Sequence, residues 1–181
     1  MGALKFRVLL DSEKEQEVFR DIVISESEHF ETFYRTILAA FNFEGKEIGS
    51  FFMSNDDWDK GQEISLMDMS YSDDDLEISR VMSQTTLSDM MEDEHQKIIL
   101  VYDFFRMWIF LIELVEKTNE VVSKPKVVFS AGTAPPEDSK LVQEDDEYYV
   151  DDEEDEFDEF DSDFEDGYDE DDYSSYDDSK Y

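Results

Sequence analysis

Two spacings of apolar side chains in the N-terminal part of the chain predict a β-hairpin followed by a helix. The first run has apolar residues at every second position, as in a strand with one buried face: Leu4, Phe6, Val8 and Leu10. Residues 18–24 resume an extended pattern after a polar turn, so the two runs are predicted to pair. Ser27 is the predicted N-cap of the helix that follows. Its apolar residues recur every three or four positions and share one face: Phe30, Phe33, Tyr34, Ile37, Leu38 and Phe41.

The remaining pattern predicts further strands and one short helix. Extended runs are predicted at residues 50–54, 98–102, 107–115 and 126–131. Residues 103–106 connect the second and third of these runs, which are predicted to form a long hairpin. Because residues 108–115 are so apolar, we expect a central strand buried on both faces rather than an exposed interface strand. Residues 55–63 are a predicted polar loop, and Thr86 or Ser88 caps the predicted short helix.

This order of elements predicts the fold class α+β. Hairpin-joined strands with few helices favour a single mixed sheet with one main helix across a face, in a β-grasp-like arrangement. The α+β domain is expected over residues 1–142, because Gly132 and the Pro135-Pro136 pair end the pattern of strands.

Residues 143–181 differ in composition from the rest of the chain. They hold 22 Asp and Glu residues against one Lys, with nine aromatic residues between them. The segment therefore carries a formal charge of −21 (1 − 22) out of −36 for the whole chain. So many like charges repel one another and oppose collapse. We therefore predict a disordered acidic-aromatic tail after the domain.

Composition also narrows the class of protein. The chain has no cysteine, which excludes disulfide bonds and thiolate metal sites. Residues 1–142 carry −15 (14 basic minus 29 acidic residues), so we expect no direct nucleic-acid binding. The N-terminus lacks a signal-peptide layout, and Asp103, Arg106 and Glu113 interrupt the most apolar window. These features predict a cytoplasmic protein without membrane contact.

Five segments, taken in order, resemble one known family. They are Val18-Phe19-Arg20-Asp21-Ile22, Ala40-Phe41-Asn42-Phe43, Leu87-Ser88-Asp89-Met90, Tyr102-Asp103-Phe104 with Trp108, and Gly132-Thr133-Ala134-Pro135-Pro136-Glu137-Asp138. Over about residues 4–141 the chain is similar to the plasmid Ri open-reading-frame-three-like family, also described as insertion-element passenger proteins of TnpR type. Phe105, Arg106 and Met107 stand where the family has Gly-Asp-Gly in a hairpin turn. Ala134 stands where the family has Cys before the two prolines.

The resemblance implies a fold more than a function. It suggests an α+β fold of β-grasp type, in agreement with the order of strands. The family's plasmid and insertion-element names describe genetic context, so we do not expect a recombinase activity from them. The negative charge of the chain also opposes the DNA contacts that such an activity needs.

No residues in the sequence match a known catalytic or cofactor-binding pattern. His29 and His95 are the only histidines, and neither has a second His or a Cys at ligand spacing, so both are interpreted as helix-flank or loop residues. The run Asp161-Ser162-Asp163-Phe164-Glu165-Asp166-Gly167 begins like a calcium-binding loop, but its glycine falls one place late. We therefore expect no enzyme activity, no cofactor and no specific metal site.

The candidate partner-binding residues are aromatic side chains among carboxylates. They are Trp58, in an acidic loop, and six tail residues, Phe157, Phe160, Phe164, Tyr168, Tyr173 and Tyr176. Carboxylates attract a basic surface, and aromatic rings insert into it or accept cations on their faces. The tail also imitates the alternation of bases and phosphates, so it can compete with nucleic acid for a basic groove. We therefore predict a non-enzymatic protein-binding module whose partner is a basic protein surface.

Two alternatives stay open on the sequence. In one, a small metal- or ligand-binding domain or enzyme uses the acidic loops 55–63 and 72–77, because paired carboxylates can hold Mg²⁺ or perform acid–base work. In the other, the folded domain binds the partner and the tail only keeps the protein soluble.

Overall fold

A computed structural model describes residues 2–12, 15–68 and 79–142 of the chain. Their strands are β1 (Ala3–Leu10), β2 (Val18–Ser25), β3 (Gly49–Ser54), β4 (Lys60–Ser65), β5 (Arg80–Val81), β6 (Lys97–Tyr102), β7 (Trp108–Thr118) and β8 (Lys126–Ala131). The α-helix of these residues is α1 (Phe30–Ala40), and three short 3₁₀ helices span Met82–Gln84, Leu87–Asp89 and Glu137–Ser139. The chain divides into two units, Met1–Asp145 and Asp146–Tyr181, and all of these elements belong to the first.

The strands form a single mixed sheet in the order β5-β4-β3-β6-β7-β1-β2-β8. The pairings are antiparallel except that of β4 with β5, which is parallel. The predicted α+β class with one main helix is therefore confirmed for the described part of the chain. The predicted hairpins also form: β1 pairs with β2, and β6 pairs with β7.

Helix α1 buries one face against the sheet. Its predicted apolar face is confirmed, since Phe33 packs at 4.6 Å between ring centroids from Phe6 of β1 and at 5.8 Å from Phe51 of β3. Gly49 begins β3 next to the Tyr34 side chain of α1. A Cβ atom there would lie 2.8 Å from the Tyr34 ring and 2.9 Å from the Val101 carbonyl, so only glycine fits without displacement.

The predicted N-cap of α1 was wrong. His29, not Ser27, occupies the N-cap position, and its side chain makes no capping hydrogen bond. The backbone N–H of Phe30 instead donates to the Thr85 carbonyl at 3.0 Å, and His29 forms an isolated β-bridge with Thr86. A segment distant in sequence therefore satisfies the start of the helix. The short helix after Thr86 does form, and Thr86, one of the two predicted caps, occupies its N-cap position.

The predicted loop over residues 55–63 was also wrong in its second half. Lys60 to Glu63 belong to β4, although their side chains are exposed and polar. Polar residues give no alternation from which a strand can be predicted, so it is the backbone pairing with β3 that makes this segment extended. The two-residue strand β5 was not predicted either.

Strand β7 is central, but it is not buried on both faces as expected. Residues Trp108, Phe110, Ile112 and Leu114 are buried toward α1, while Ile109 and Leu111 on the opposite face are only half-buried. Helix α1 packs on the face of Phe110, with the ring centroids of Phe41 and Phe110 5.0 Å apart, and the half-buried residues of β7 lie on the other face. Strand β6, its neighbour, is buried from Ile98 to Tyr102.

Candidate functional site

The residues that carry the family resemblance form two groups in the structure. Glu137 lies at the centre of the first group. It opens the 3₁₀ helix Glu137–Ser139, directly after the two prolines. Its carboxylate accepts hydrogen bonds from the Tyr102 hydroxyl at 2.5 Å and from the Glu44 backbone N–H at 2.6 Å. Its backbone carbonyl accepts a third, from Trp108 Nε1, at 3.0 Å. We call Glu137 with these three partners the Glu137 clamp. It binds the segment after β8, residues 132–140 (the C-terminal segment), to the β6–β7 hairpin.

Tyr102 is the buried end of the clamp. Its side chain is fully buried, and its hydroxyl also accepts a hydrogen bond from the Glu47 N–H at 3.2 Å. Burial, followed by the hydrogen bond to Glu137, raises the pKa of Tyr102 to about 12. Tyr34 packs edge-on against it at 6.2 Å and donates to the Glu47 carbonyl at 3.1 Å. Tyr102 is therefore a hydrogen-bond donor to Glu137 at neutral pH, enclosed by protein.

Lys140 extends the clamp along the C-terminal segment. Its ammonium group donates to the Met107 carbonyl and lies 5.4 Å from the centre of the Trp108 ring. Ala134, which stands where the family has Cys, packs against the core. The segment after β8 is thus bound to the sheet at several points up to Lys140.

The turn between β6 and β7 explains the second glycine of the family motif, which stands at the position of Met107. Asp103 and Met107 have positive φ angles of 57° and 54°, a conformation that glycine adopts without strain. Asp103 is buried, and its carboxylate accepts from the backbone N–H groups of Phe105 and Arg106 at 3.0 and 3.2 Å. Phe104 and Phe105 project from this turn with 43% and 68% of their surface exposed.

Arg20 lies at the centre of the second group of residues that carry the family resemblance. It is 7% exposed, and its guanidinium donates to the carbonyls of Phe19, Ala131 and Gly132 and, through Nε, to that of Ala40 at 3.1 Å. The guanidinium lies 4.9 Å from the centre of the Phe41 ring. Burial lowers the pKa of Arg20. The carbonyls at the end of α1 carry partial negative charge, so they suit a buried cation. Arg20 therefore joins α1, β2 and the end of β8.

Trp58, the predicted partner-binding residue of the domain, lies in the turn between β3 and β4. Its φ angle is 63°, and its side chain is half-buried. Lys97 Nζ lies 5.0 Å from the centre of the Trp58 ring and donates to the Asp56 carbonyl at 3.0 Å. A cation of the protein itself therefore takes the position over the ring that we expected for a partner's Lys or Arg.

The acidic loop around Trp58 is organised by Asn55. The Asn55 side-chain carbonyl accepts from the N–H groups of Asp57 and Asp59, both at 3.0 Å, and its amide donates to the Asp59 carboxylate at 2.9 Å. Within the described residues, no group of three or more His, Asp or Glu side chains is placed to hold a metal ion. The second acidic loop, at residues 72–77, lies outside the described residues.

The two histidines occupy the positions predicted for them. His29 is exposed at the start of α1, and His95 is exposed in the connection before β6, with its Nδ1 3.7 Å from the Glu113 carboxylate. The remaining partner-binding candidates, Phe157, Phe160, Phe164, Tyr168, Tyr173 and Tyr176, and the calcium-loop-like run that begins at Asp161, lie outside the described residues.

Sequence reasoning missed the roles of three residues. Arg20, Tyr102 and Glu137 were noticed as parts of motifs, but no interaction was assigned to them. The signal that could have found them is the presence of charged or hydroxylated residues at the motif positions that resemble the family. The structure brings Tyr102 and Glu137 together across 35 positions of sequence.

The described part of the chain is therefore one sheet with one main helix. The residues around Glu137 and Arg20 bind the C-terminal segment to this sheet. The chain belongs to the plasmid pRiA4b ORF-3-like protein family, whose sequence profile matches residues 2–176. The resemblance drawn from the five segments is thereby confirmed, and the match extends further along the chain.

One solved structure supports the same fold. It is the crystal structure of a protein of unknown function, MM3350 from Methanosarcina mazei Go1, with a TM-score of 0.62 and 20% sequence identity. The similarity covers 78% of this chain and 76% of that chain. No curated protein sequence matches the chain. Among the described residues, no helix combines the length and the apolar character needed to cross a membrane.

Proposed function

We propose that this protein is a non-enzymatic binding module whose acidic, aromatic-rich tail docks on a basic protein surface. The observation that carries the proposal is the composition of residues 143–181, with 22 acidic residues, one Lys and nine aromatic residues. Charge of one sign over a whole segment speeds the encounter with an oppositely charged surface. Aromatic side chains then supply contact area in pockets, which slows dissociation. A segment that only kept the protein soluble would have no need of these aromatic residues.

The spacing of the aromatic residues suggests what kind of basic surface is bound. Phe157, Phe160, Phe164, Tyr168, Tyr173 and Tyr176 follow one another at intervals of three to five residues, with carboxylates between all but the last two. Single-stranded nucleic acid presents a comparable alternation of stacking faces and negative charges to its binding proteins. The proposed partner is therefore a nucleic-acid-binding protein, and the tail occupies its basic groove in place of nucleic acid.

In this proposal the folded domain is the support for the tail. The Glu137 clamp and Arg20 use the motif residues for contacts within the protein, and Lys97 already covers one face of Trp58. The other face of the Trp58 ring is the contact proposed for the domain itself. We also propose a cytoplasmic location, because the chain has no cysteine, and a β-grasp-like relationship, because hairpin β1–β2 is followed directly by a helix across the sheet.

The proposal is tested by pull-down from native lysate with the full-length chain. The first variant replaces the six tail aromatics by alanine and keeps every charge. We expect it to lose the basic partner, while the unchanged protein retains it at low salt and releases it at high salt. A matched control replaces two exposed aromatics of the domain, Phe104 and Phe105, by alanine and should retain the partner.

Addition of a single-stranded oligonucleotide separates the mimicry from simple charge attraction. If the tail occupies a nucleic-acid groove, the oligonucleotide displaces the protein from its captured partner. Retention of the same partners by the aromatic-to-alanine variant, with unchanged salt dependence, would refute the anchoring role of the tail. A chain ending at Val142 that still captures the same partners would move the function to the folded domain.

A further inference from the structure

The C-terminal segment lies against the sheet without extending it. Strand β8 ends before it, at Ala131, and the backbone hydrogen bond within the segment joins the Ser139 N–H to the Pro136 carbonyl at 3.0 Å. Among the described residues, no strand accepts a hydrogen bond from the backbone N–H groups of residues 133–140. Side chains instead make the hydrogen bonds that join the segment to the rest of the domain.

The segment also buries little apolar surface. Pro135 is buried and Ala134 packs in part against the core, but the residue that follows the segment, Leu141, is 87% exposed. The neighbouring strand β6 is, by contrast, buried from Ile98 to Tyr102. A region with few buried apolar contacts and no ladder of backbone bonds opens at a lower free energy than the core does. The segment is therefore the part of this region that can separate first.

Gly132 provides a hinge at the start of the segment. It is exposed and has a φ of 71°, a conformation that glycine adopts without strain. Arg20 holds the chain at this point, because its Nη1 donates to the carbonyls of Ala131 and Gly132 at 2.8 and 3.3 Å. The chain beyond Gly132 can therefore rotate while β8 stays paired with β2.

Beyond the hinge, Glu137 makes most of the polar contacts. It takes part in the three hydrogen bonds of the Glu137 clamp, and Lys140 adds one more, to the Met107 carbonyl. We propose that the C-terminal segment is a strap that swings away from the sheet about Gly132 while the domain stays folded. Glu137 is the latch that keeps the strap closed.

Opening of the strap lengthens the connection between the sheet and the acidic tail. It releases residues 133–142, which span up to about 33 Å when extended. It also frees the Glu137 carboxylate from Tyr102 and from the Glu44 N–H, so that this charge adds to those of the tail. For the function proposed above, on which this consequence rests, the open strap gives the tail a longer reach toward its basic partner.

Exchange of the Trp108 indole proton with solvent measures the opening. This proton is bonded to the Glu137 carbonyl, and Trp108 is 3% exposed. NMR follows its exchange in the full-length chain at urea concentrations below the unfolding transition. Since a local opening exposes little surface, we expect an exchange rate that is nearly independent of urea. Backbone amides of β1, which is paired on both sides, should instead show the urea dependence of global unfolding. The same dependence for the Trp108 proton would overturn the proposal.

Two alanine variants test the latch. Glu137→Ala removes the carboxylate but keeps the backbone carbonyl that accepts from Trp108, so the reporting bond can still form. It should speed exchange of the Trp108 proton roughly tenfold or more, because two hydrogen bonds to a charged group are lost. Asp138→Ala is the matched control, since it removes the same charge from an exposed neighbour outside the clamp. It should leave the exchange rate of Trp108 unchanged.

The Trp58 indole proton is an internal reference in the same spectra. Gly49 pairs with Tyr102 at one end of β3, whereas Trp58 follows Ser54 at the other end, so its exchange should not respond to Glu137→Ala. Equal effects of the two alanine variants on Trp108, or no effect of Glu137→Ala, would refute the latch. The urea series uses the unchanged chain, so it decides the proposal even if Glu137→Ala folds poorly. Neither measurement needs a partner, which separates their outcome from that of the pull-down.

Discussion

Removal of one hydroxyl group tests whether the Glu137 clamp stabilises the fold. Tyr102→Phe keeps the buried ring but deletes the oxygen that donates to Glu137 at 2.5 Å and accepts from the Glu47 N–H at 3.2 Å. The change removes one hydrogen bond from each of two groups, the Glu47 N–H and the Glu137 carboxylate, which keeps its bond from the Glu44 N–H. Tyr34→Phe is the natural comparison, because Tyr34 is equally buried and donates only to the uncharged Glu47 carbonyl.

The magnitudes follow from the charge of the acceptor. A hydrogen bond to a charged group contributes roughly 1.5–3 kcal/mol, and one between neutral groups about 1 kcal/mol. We therefore expect Tyr102→Phe to lower the free energy of unfolding by about 2–3 kcal/mol and Tyr34→Phe by about 1 kcal/mol. Because Tyr102→Phe also removes the acceptor of the Glu47 N–H, its loss of stability should lie toward the upper end of this range.

The assay is urea unfolding of both variants beside the unchanged protein, followed by circular dichroism and by tryptophan fluorescence. Trp108 donates to the Glu137 carbonyl, so its fluorescence also reports whether the C-terminal segment has detached. Equal losses for the two variants would show that Glu137 contributes no charge-assisted bond. A loss below about 0.5 kcal/mol for Tyr102→Phe would mean that water replaces the hydroxyl and that the clamp is not a stabilising contact.

Two further predictions concern the same region. Met107→Gly should raise the free energy of unfolding, measured in urea, by about 0.5–1 kcal/mol. The reason is that Met107 has a φ of 54°, which costs a residue with a side chain about 1 kcal/mol. A decrease would show that packing of the Met107 side chain outweighs this strain. Alkaline pH should also destabilise the protein. The pKa of Tyr102 is raised in the folded state from 10.0 to about 12, so its contribution is complete below pH 10 and is lost as the pH rises toward about 12. Urea midpoints measured on both sides of pH 10 should fall less for Tyr102→Phe than for the unchanged protein.

Local pattern was sufficient to predict most of the fold. The alternation in β1 and the helical face of α1 arise because each residue's exposure repeats with the geometry of its own element. Strand β8 was predicted with its observed bounds from its β-branched and aromatic residues, although its exposure does not alternate. Strand β4 failed, since its exposed polar residues show no alternation and only its neighbour β3 makes it a strand. Ser27 failed because the start of α1 is satisfied from Thr85, a residue far along the chain.

The candidate sites likewise divide into those that the sequence indicates and those that depend on contacts between distant segments. The charge and aromatic content of residues 143–181 are properties of the sequence, and the proposed function depends on them directly. The bond between Tyr102 and Glu137, the cation of Lys97 over Trp58 and the place of β8 at the end of the sheet depend on contacts between distant segments. Periodicity and composition describe one segment at a time, so they cannot indicate which segments meet. The folded chain decides this, because burial of the apolar faces in a single sheet leaves few ways to bring those segments together.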